Sequence, residues 1–223
     1  MAVNIDTVYQ KVLMFANKEQ RGYITPQEFN LFADQAQLEI FEQYFYDINK
    51  LAGVGSNNSK EYGDIIDNVN EKIAIFETTG TITNDALPGD VYRLGTVHNI
   101  SGVELEEVQP NELLYFNLSP LTAPSSKRPV YTRVDGNNIK SHPTDTNLKC
   151  NYIKKPSKPN WSYVVVNGKA MYDGTNVTHF DLHASEETEL VYKILKFAGV
   201  AMVRDDVMKI GQGLETSQIA QEQ

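Results

Sequence analysis

Two stretches of the sequence combine residue types that bind metal ions, and the first has the frame of an EF-hand loop. Glycine at Gly22 and a carboxylate at Glu28 occupy positions six and twelve of that frame, counted from Asn17. However, Arg21 places a positive charge where the calcium ion needs an oxygen donor. A helix that ends at Gly22, followed by a capping box between Thr25 and Glu28, explains the same letters. We therefore favour a helix–turn–helix at this position. A calcium-binding module around Gly22 stays as a third hypothesis for the function.

The second stretch is His179-x-Asp181-x-His183. On a β-strand the three side chains would share one face, and both residue types are sound zinc ligands. No further cysteine or glutamate motif completes a site, so an alternating strand with a polar outer face explains the pattern as well. A small metal-dependent enzyme or metal-binding module built on these residues is the alternative function that this pattern leaves open.

The remaining nucleophile candidate is Cys150, the chain's one cysteine. It alternates with Leu148 and Tyr152, which predicts a thiol inside the core rather than a reactive one. No intrachain disulfide is possible with a single cysteine. We predict no catalytic site, no metal and no cofactor, and therefore a protein that is not an enzyme.

The charge balance limits the partners that the chain can hold. Among 223 residues the net charge is −9, and basic residues are scattered apart from a few, such as Lys154, Lys155 and Lys158. Firm binding of nucleic acid needs a basic patch, so it is disfavoured. Transient passage of DNA is compatible with an acidic wall, because such a wall repels a polyanion and lets it slide. No apolar run is long enough to span a membrane, and the N-terminus has no secretory signal.

The spacing of apolar residues predicts an α+β protein: a helical bundle with an inserted small antiparallel β-module. Residues 1–75 carry the N-terminal helices, with a long helix expected from Pro26 to Lys50. Residues 76–183 alternate short β-rich runs with turns, including a hairpin around 135–138, and 163–166 and 176–182 are expected to extend and close the sheet. Residues 184–223 carry a helix capped by Ser185, expected to reach about Gly211, and an extended tail.

Several large apolar side chains are candidates for contacts with other chains. The aromatic residues of the long helix span a wide arc, so that helix is buried on more than one side by its own domain or by a neighbouring subunit. Trp161 follows a proline-rich turn, where it either pins the turn or serves as an exposed contact. The polar tail is predicted to become ordered on a partner. The interface candidates are Phe41, Tyr44, Phe45, Tyr46, Trp161, Leu214 and Ile219.

The amino-acid sequence of the β-rich stretch resembles that of head-to-tail adaptor proteins of short-tailed bacteriophages, including crAss-like phages. These adaptors are also called ring or tail tubular proteins. The strings that carry the resemblance are 86–94 (ALPGDVYRL), 103–108 (VELEEV), 129–133 (PVYTR), 151–156 (NYIKKP) and 159–161 (PNW). The order of elements is similar over most of the chain, and the wording is most specific from Leu87 to Trp161.

The resemblance implies a virion structural protein, made in the host cytoplasm and located in the tail connector. It implies one subunit of a ring of about twelve copies, with the portal on one side and tail or nozzle proteins on the other. The ring would line the channel through which DNA leaves the capsid. In such rings the long helices pack side by side, and the terminal segment, here residues 185–223, lies at the portal side.

Overall fold

The computed structural model describes residues 2–17, 24–53, 60–201, 212–213 and 216–217, and it is an α+β structure. In chain order the elements are α1 (Ile5–Asn17), α2 (Pro26–Gly53), α3 (Lys60–Ala74), β1 (Glu77–Ile82), β2 (Val91–Asn99), β3 (Glu104–Glu107), α4 (Pro110–Phe116), β4 (Val130–Arg133), β5 (Ile139–His142), β6 (Leu148–Lys154), β7 (Tyr163–Val166), β8 (Lys169–Tyr172) and α5 (Glu187–Ala201).

The chain forms two compact units. Residues 1–75 and 156–223 make one, and residues 76–155 make the other. The second unit begins at the residue where the sequence predicts the β-module to begin. It ends at Lys155 rather than at residue 183, because the chain returns to the helical unit immediately after β6.

Local capping fixes where the first two helices begin. The side-chain oxygen of Asn4 accepts the N–H groups of Asp6 and Thr7 at 2.9 and 3.4 Å, so Asn4 caps α1. Thr25 and Glu28 form the capping box that the sequence predicts: Glu28 N–H donates to Thr25 Oγ1 at 3.3 Å, and Thr25 N–H donates to Glu28 Oε2 at 2.9 Å. The Thr25 hydroxyl, followed by the Thr25 N–H, donates to the Glu28 carboxylate and holds the pKa of Glu28 below its usual value.

The core of the helical unit is an apolar stripe on α2 against which α5 packs, and α1 packs on α5 in turn. Residues three and four apart on a helix share one face, and the buried side chains of α2 follow that spacing. They are Phe29, Ala33, Ala36, Gln37, Ile40, Phe41, Tyr44 and Phe45. From α5 the core receives Leu190, Val191, Ile194, Leu195 and Ala198.

The wide aromatic arc of α2 is accounted for inside this unit. Phe41 and Phe45 meet edge to face with their ring centroids 5.1 Å apart. The ammonium group of Lys72, at the end of α3, lies 5.8 Å from the centroid of the Tyr44 ring. The chain itself therefore buries Phe41, Tyr44 and Phe45, and assigning these three to an interface between subunits is not needed to explain them. Tyr46 is different, since 67% of it is exposed.

The second unit is a curled six-stranded sheet in the order β1-β6-β2-β3-β4-β5. The prediction of a small antiparallel module is corrected here, because β3 and β4 pair in parallel while the other neighbours are antiparallel. Helix α4 lies in the connection between these two strands, as a parallel crossover requires. Irregularities in the pairing of β2 with β6 curl the sheet. Gly95 lies there, and a side chain would come within 2.9 Å of the Asn151 carbonyl oxygen.

The segments predicted to extend the sheet belong to the helical unit instead. Strand β7 pairs only with β8 among the described residues, in a hairpin of its own. Residues 176–182 form no regular strand, although Thr178 bridges to Asn160 and Phe180 to Val3. The predicted cap at Ser185 is also displaced, since His183 caps the 3-10 turn Ala184–Glu186 that leads into α5.

Candidate interaction surfaces

The three side chains of the His179-x-Asp181-x-His183 pattern hold the backbone in place. His179 Nδ1 accepts from Ile5 N–H at 3.4 Å, and His183 Nδ1 accepts from Ser185 N–H at 3.3 Å. The alternation itself is confirmed, because Phe180 and Leu182 between them are fully buried. Within the ranges that the structure describes, no group of three or more His, Cys, Asp or Glu side chains is arranged to hold a metal ion.

Asp181 belongs to a closed cycle of hydrogen bonds that fastens the chain where it returns to the helical unit. Its Oδ2 accepts from Ser157 N–H at 2.7 Å, and its own N–H donates to Gln37 Oε1 at 3.0 Å. Gln37, buried on α2, completes the cycle by donating to the Ser157 carbonyl oxygen at 2.8 Å. The Asp181 carboxylate thus already accepts a backbone N–H within this cycle, so its position is explained without a metal ion.

The EF-hand frame divides across the boundary of what the structure describes. Residues 18–23, including Arg21 and Gly22, lie outside the described residues. Glu28, the residue at position twelve, has one carboxylate oxygen in the capping box of α2 and accepts from the Thr25 hydroxyl at 2.7 Å as well. The helix-capping interpretation of Glu28 is thereby confirmed.

Cys150 lies in the core of the sheet, as predicted. It is fully buried, and its thiol donates to the Gly80 carbonyl oxygen at 3.8 Å. Burial raises the pKa of this thiol, so the reactive thiolate form is disfavoured at neutral pH.

The lysines near the return point are partly used inside the chain. Lys158 Nζ lies 3.8 Å from Asp34 Oδ2 on α2, with 67% of the lysine side chain exposed. Lys155 N–H donates to the Asp90 carbonyl oxygen at 2.8 Å, and its side chain is exposed. Of these two contacts, only that of Lys158 involves the lysine charge, since the Lys155 bond is made by its backbone N–H.

Trp161 is an anchor rather than an exposed contact. Only 2% of it is exposed, and its indole N–H donates to Asp6 Oδ1 at 2.9 Å. Its ring centroid lies 4.1 Å from that of Tyr9 on α1. Its backbone is bound on both sides by the Asn30 side chain, which accepts from Trp161 N–H at 2.8 Å and donates to the carbonyl oxygen at 3.3 Å. Of the two interpretations of this residue, the structure supports the pinned turn.

Three predicted interface residues remain: Tyr46, Leu214 and Ile219. Tyr46 is exposed on α2 and stays a candidate contact. Leu214 and Ile219 lie outside the described residues, so the ordering of the polar C-terminal tail on a partner stays a prediction.

The first apolar surface that the sequence analysis missed is the hairpin of β7 and β8, residues 163–172, which we call the arm. Its large apolar side chains are between 41% and 62% exposed: Val164, Val165, Val166, Met171 and Tyr172. The turn is made by Asn167 and Gly168, both with positive φ. An Asn-Gly pair between two apolar runs is a strong hairpin signal, so the sequence contained the information.

The second missed surface lies on α4 and the turn after it, and we call it the α4 patch. Its members are between 68% and 86% exposed: Leu114, Tyr115, Leu118 and Leu121. Helix α4 contributes no buried residue. Large exposed apolar patches are typical of interaction sites on folded proteins, so these side chains are candidate contacts.

No protein-family model matches the chain, and no curated protein matches it significantly. Among the residues that the structure describes, no helix is long and apolar enough to cross a membrane.

Proposed function

We propose that this chain is a structural subunit of a ring that joins the portal to the tail of a short-tailed bacteriophage and lines the DNA exit channel. In this proposal, the helical unit forms the bundle of each subunit, and residues 76–155 form its inserted β-module. The ring consists of copies of this chain, with the portal on one side and tail proteins on the other. The protein is then located in the virion connector and carries out no catalysis.

The observation that carries the proposal is a contrast: the candidate metal ligands and the candidate nucleophile are hydrogen-bonded or buried within the chain, whereas large apolar side chains are exposed. His179, Asp181 and His183 bind backbone groups, while Cys150 is buried with a raised pKa. By contrast, the arm and the α4 patch expose large apolar side chains to solvent. Exposed apolar surface is typical of protein–protein contact, and an assembly protein needs such surface for its neighbours.

Two further properties support the same proposal. The sequence from Leu87 to Trp161 resembles that of the phage adaptors, and it includes strands β2 to β6 of the sheet. The net charge of −9 suits a channel through which DNA must pass without being held.

The proposal is tested in virions by removing the chain. Phage assembled without it should accumulate capsids that carry a portal but no tail, and purified chain added back should bind these capsids at the portal vertex. Immunogold labelling locates the added chain by electron microscopy. Normal tails on particles that lack the chain would refute the proposal.

A further inference from the structure

The base of the arm packs against Trp161, whereas the side chains beyond the base are exposed. The rings of Tyr163 and Tyr172, which form the first pair of the hairpin, lie 5.8 and 5.9 Å from the ring of Trp161 by their centroids. Because Trp161 is itself buried and bonded to Asp6, the base of the arm has a defined position. A preorganised element loses little conformational freedom on binding, which favours its use as a contact.

Beyond the base, both faces of the arm are apolar. Val165 lies on the face of the two tyrosines, and Val164, Val166 and Met171 lie on the opposite face. No further strand pairs with β7 or β8 in the part of the chain that the structure describes. A two-stranded hairpin alone is marginally stable in water, so burial of these faces by another chain would stabilise it.

The charges of the two exposed surfaces are complementary. Lys169, next to the turn, is the only charged residue of the arm. The segment that carries the α4 patch, residues 110–121, has Glu112 as its only charged residue. An apolar element with one positive charge therefore matches an apolar patch with one negative charge in the same chain.

We propose that the arm of one copy docks on the α4 patch of a second copy of this chain. The inference rests on the proposed ring for the identity of the partner, and it adds the contact by which successive subunits are held together. The two surfaces differ in structure, so each copy uses one surface towards one neighbour and the other towards the next. Such head-to-tail contacts produce rings when the rotation between subunits closes.

The test uses two single variants of the full chain, Val165→Glu on the arm and Leu118→Glu on the α4 patch. Sedimentation velocity over a concentration series should show self-association of the wild-type chain, weakened at least about tenfold in each variant. An equal mixture of the two variants should recover dimers, because one copy keeps an intact α4 patch and the other an intact arm. Leu31→Glu and Val134→Glu add the same charge at other exposed apolar positions and should associate like the wild type.

Each other outcome overturns the inference in a distinct way. Self-association of either Val165→Glu or Leu118→Glu at wild-type strength removes that surface from the contact but leaves the proposed ring standing. Failure of the mixture to form dimers excludes the arm-to-patch pairing. A wild-type chain that is monomeric at every concentration also refutes the inference, whereas the ring is still judged by binding to tailless capsids. Binding of wild-type chain, but not Val165→Glu, to phosphatidylglycerol vesicles would assign the arm to a membrane instead.

Discussion

At the scale of single residues, two lysine–glutamate pairs of the helical unit differ in their surroundings. Lys72 Nζ lies 2.6 Å from Glu186 Oε1, and only 3% of the Glu186 side chain is exposed. The hydroxyl of Ser185 also donates to this carboxylate oxygen, at 3.1 Å. Lys11 pairs with Glu187 at the surface, where 46% and 30% of the two side chains are exposed. A buried carboxylate that loses its cation costs far more than a surface one.

We expect Lys72→Ala to lower the free energy of unfolding by roughly 2–4 kcal/mol, because the Glu186 carboxylate would remain buried without its cation. The matched variant Lys11→Ala should cost less than about 1 kcal/mol. Urea unfolding followed by the fluorescence of Trp161, the only tryptophan, reports on this unit. Equal losses in the two variants would show that burial of Glu186 does not distinguish the pairs.

Two tyrosines of the sheet make its stability depend on alkaline pH. Tyr131 donates to Glu107 at 2.9 Å and Tyr152 to Asp90 at 2.8 Å. Burial, followed by these bonds to carboxylates, raises the pKa of both hydroxyls from 10.0 to about 12. A raised pKa means that the folded state keeps protons which the unfolded chain has lost. Stability from these groups is therefore fully present below pH 10 and is lost as the pH rises through 12.

The double variant Tyr131→Phe, Tyr152→Phe should lose less stability than the wild type over that pH range, since phenylalanine does not titrate. Urea unfolding followed by far-ultraviolet circular dichroism at several pH values measures the slope of the free energy of unfolding against pH. Tyr115→Phe is the control, because Tyr115 is exposed. A slope that the double variant leaves unchanged would mean that other groups cause the alkaline loss.

At the scale of elements, the signals that the sequence carries are as local as the structures that they predict. Thr25, Pro26 and Glu28 place the start of α2 correctly because a capping box depends on neighbours along the chain. The sequence also predicts the alternation around Phe180 and Leu182 correctly, but it wrongly places residues 176–182 in the sheet. Phe180 bridges to Val3, and no pattern within residues 176–182 encodes a partner at the other end of the chain.

The capping box of α2 yields a prediction at this scale. Thr25→Ala removes the acceptor for Glu28 N–H and should reduce the free energy of unfolding by about 1 kcal/mol. Thr188→Ala, at an exposed position in the first turn of α5, should change it by less than about 0.5 kcal/mol. Urea unfolding followed by Trp161 fluorescence compares the two. Identical midpoints would mean that the capping bonds contribute nothing to stability.

At the scale of the whole molecule, the sequence predicts the class of fold better than it predicts how the chain divides into two units. The α+β composition follows from apolar spacing, whereas the end of the sheet unit at Lys155 depends on tertiary contacts. Hydrogen bonds among Gln37, Ser157 and Asp181 hold the chain where it returns to the helical unit. Ser157 and Asp181 each lie more than a hundred positions from Gln37 in the sequence. Likewise, the exposure of the arm and of the α4 patch depends on how the rest of the chain packs around them. A local sequence pattern does not encode that packing.

The central claim is the proposal that copies of this chain form a ring on the portal. Cryo-electron microscopy of the full-length chain bound to tailless capsids tests it most directly. We expect a closed ring of about twelve copies around the DNA channel at the portal vertex. The claim would be contradicted if the chain bound elsewhere on the capsid, or as separate monomers without contacts between copies.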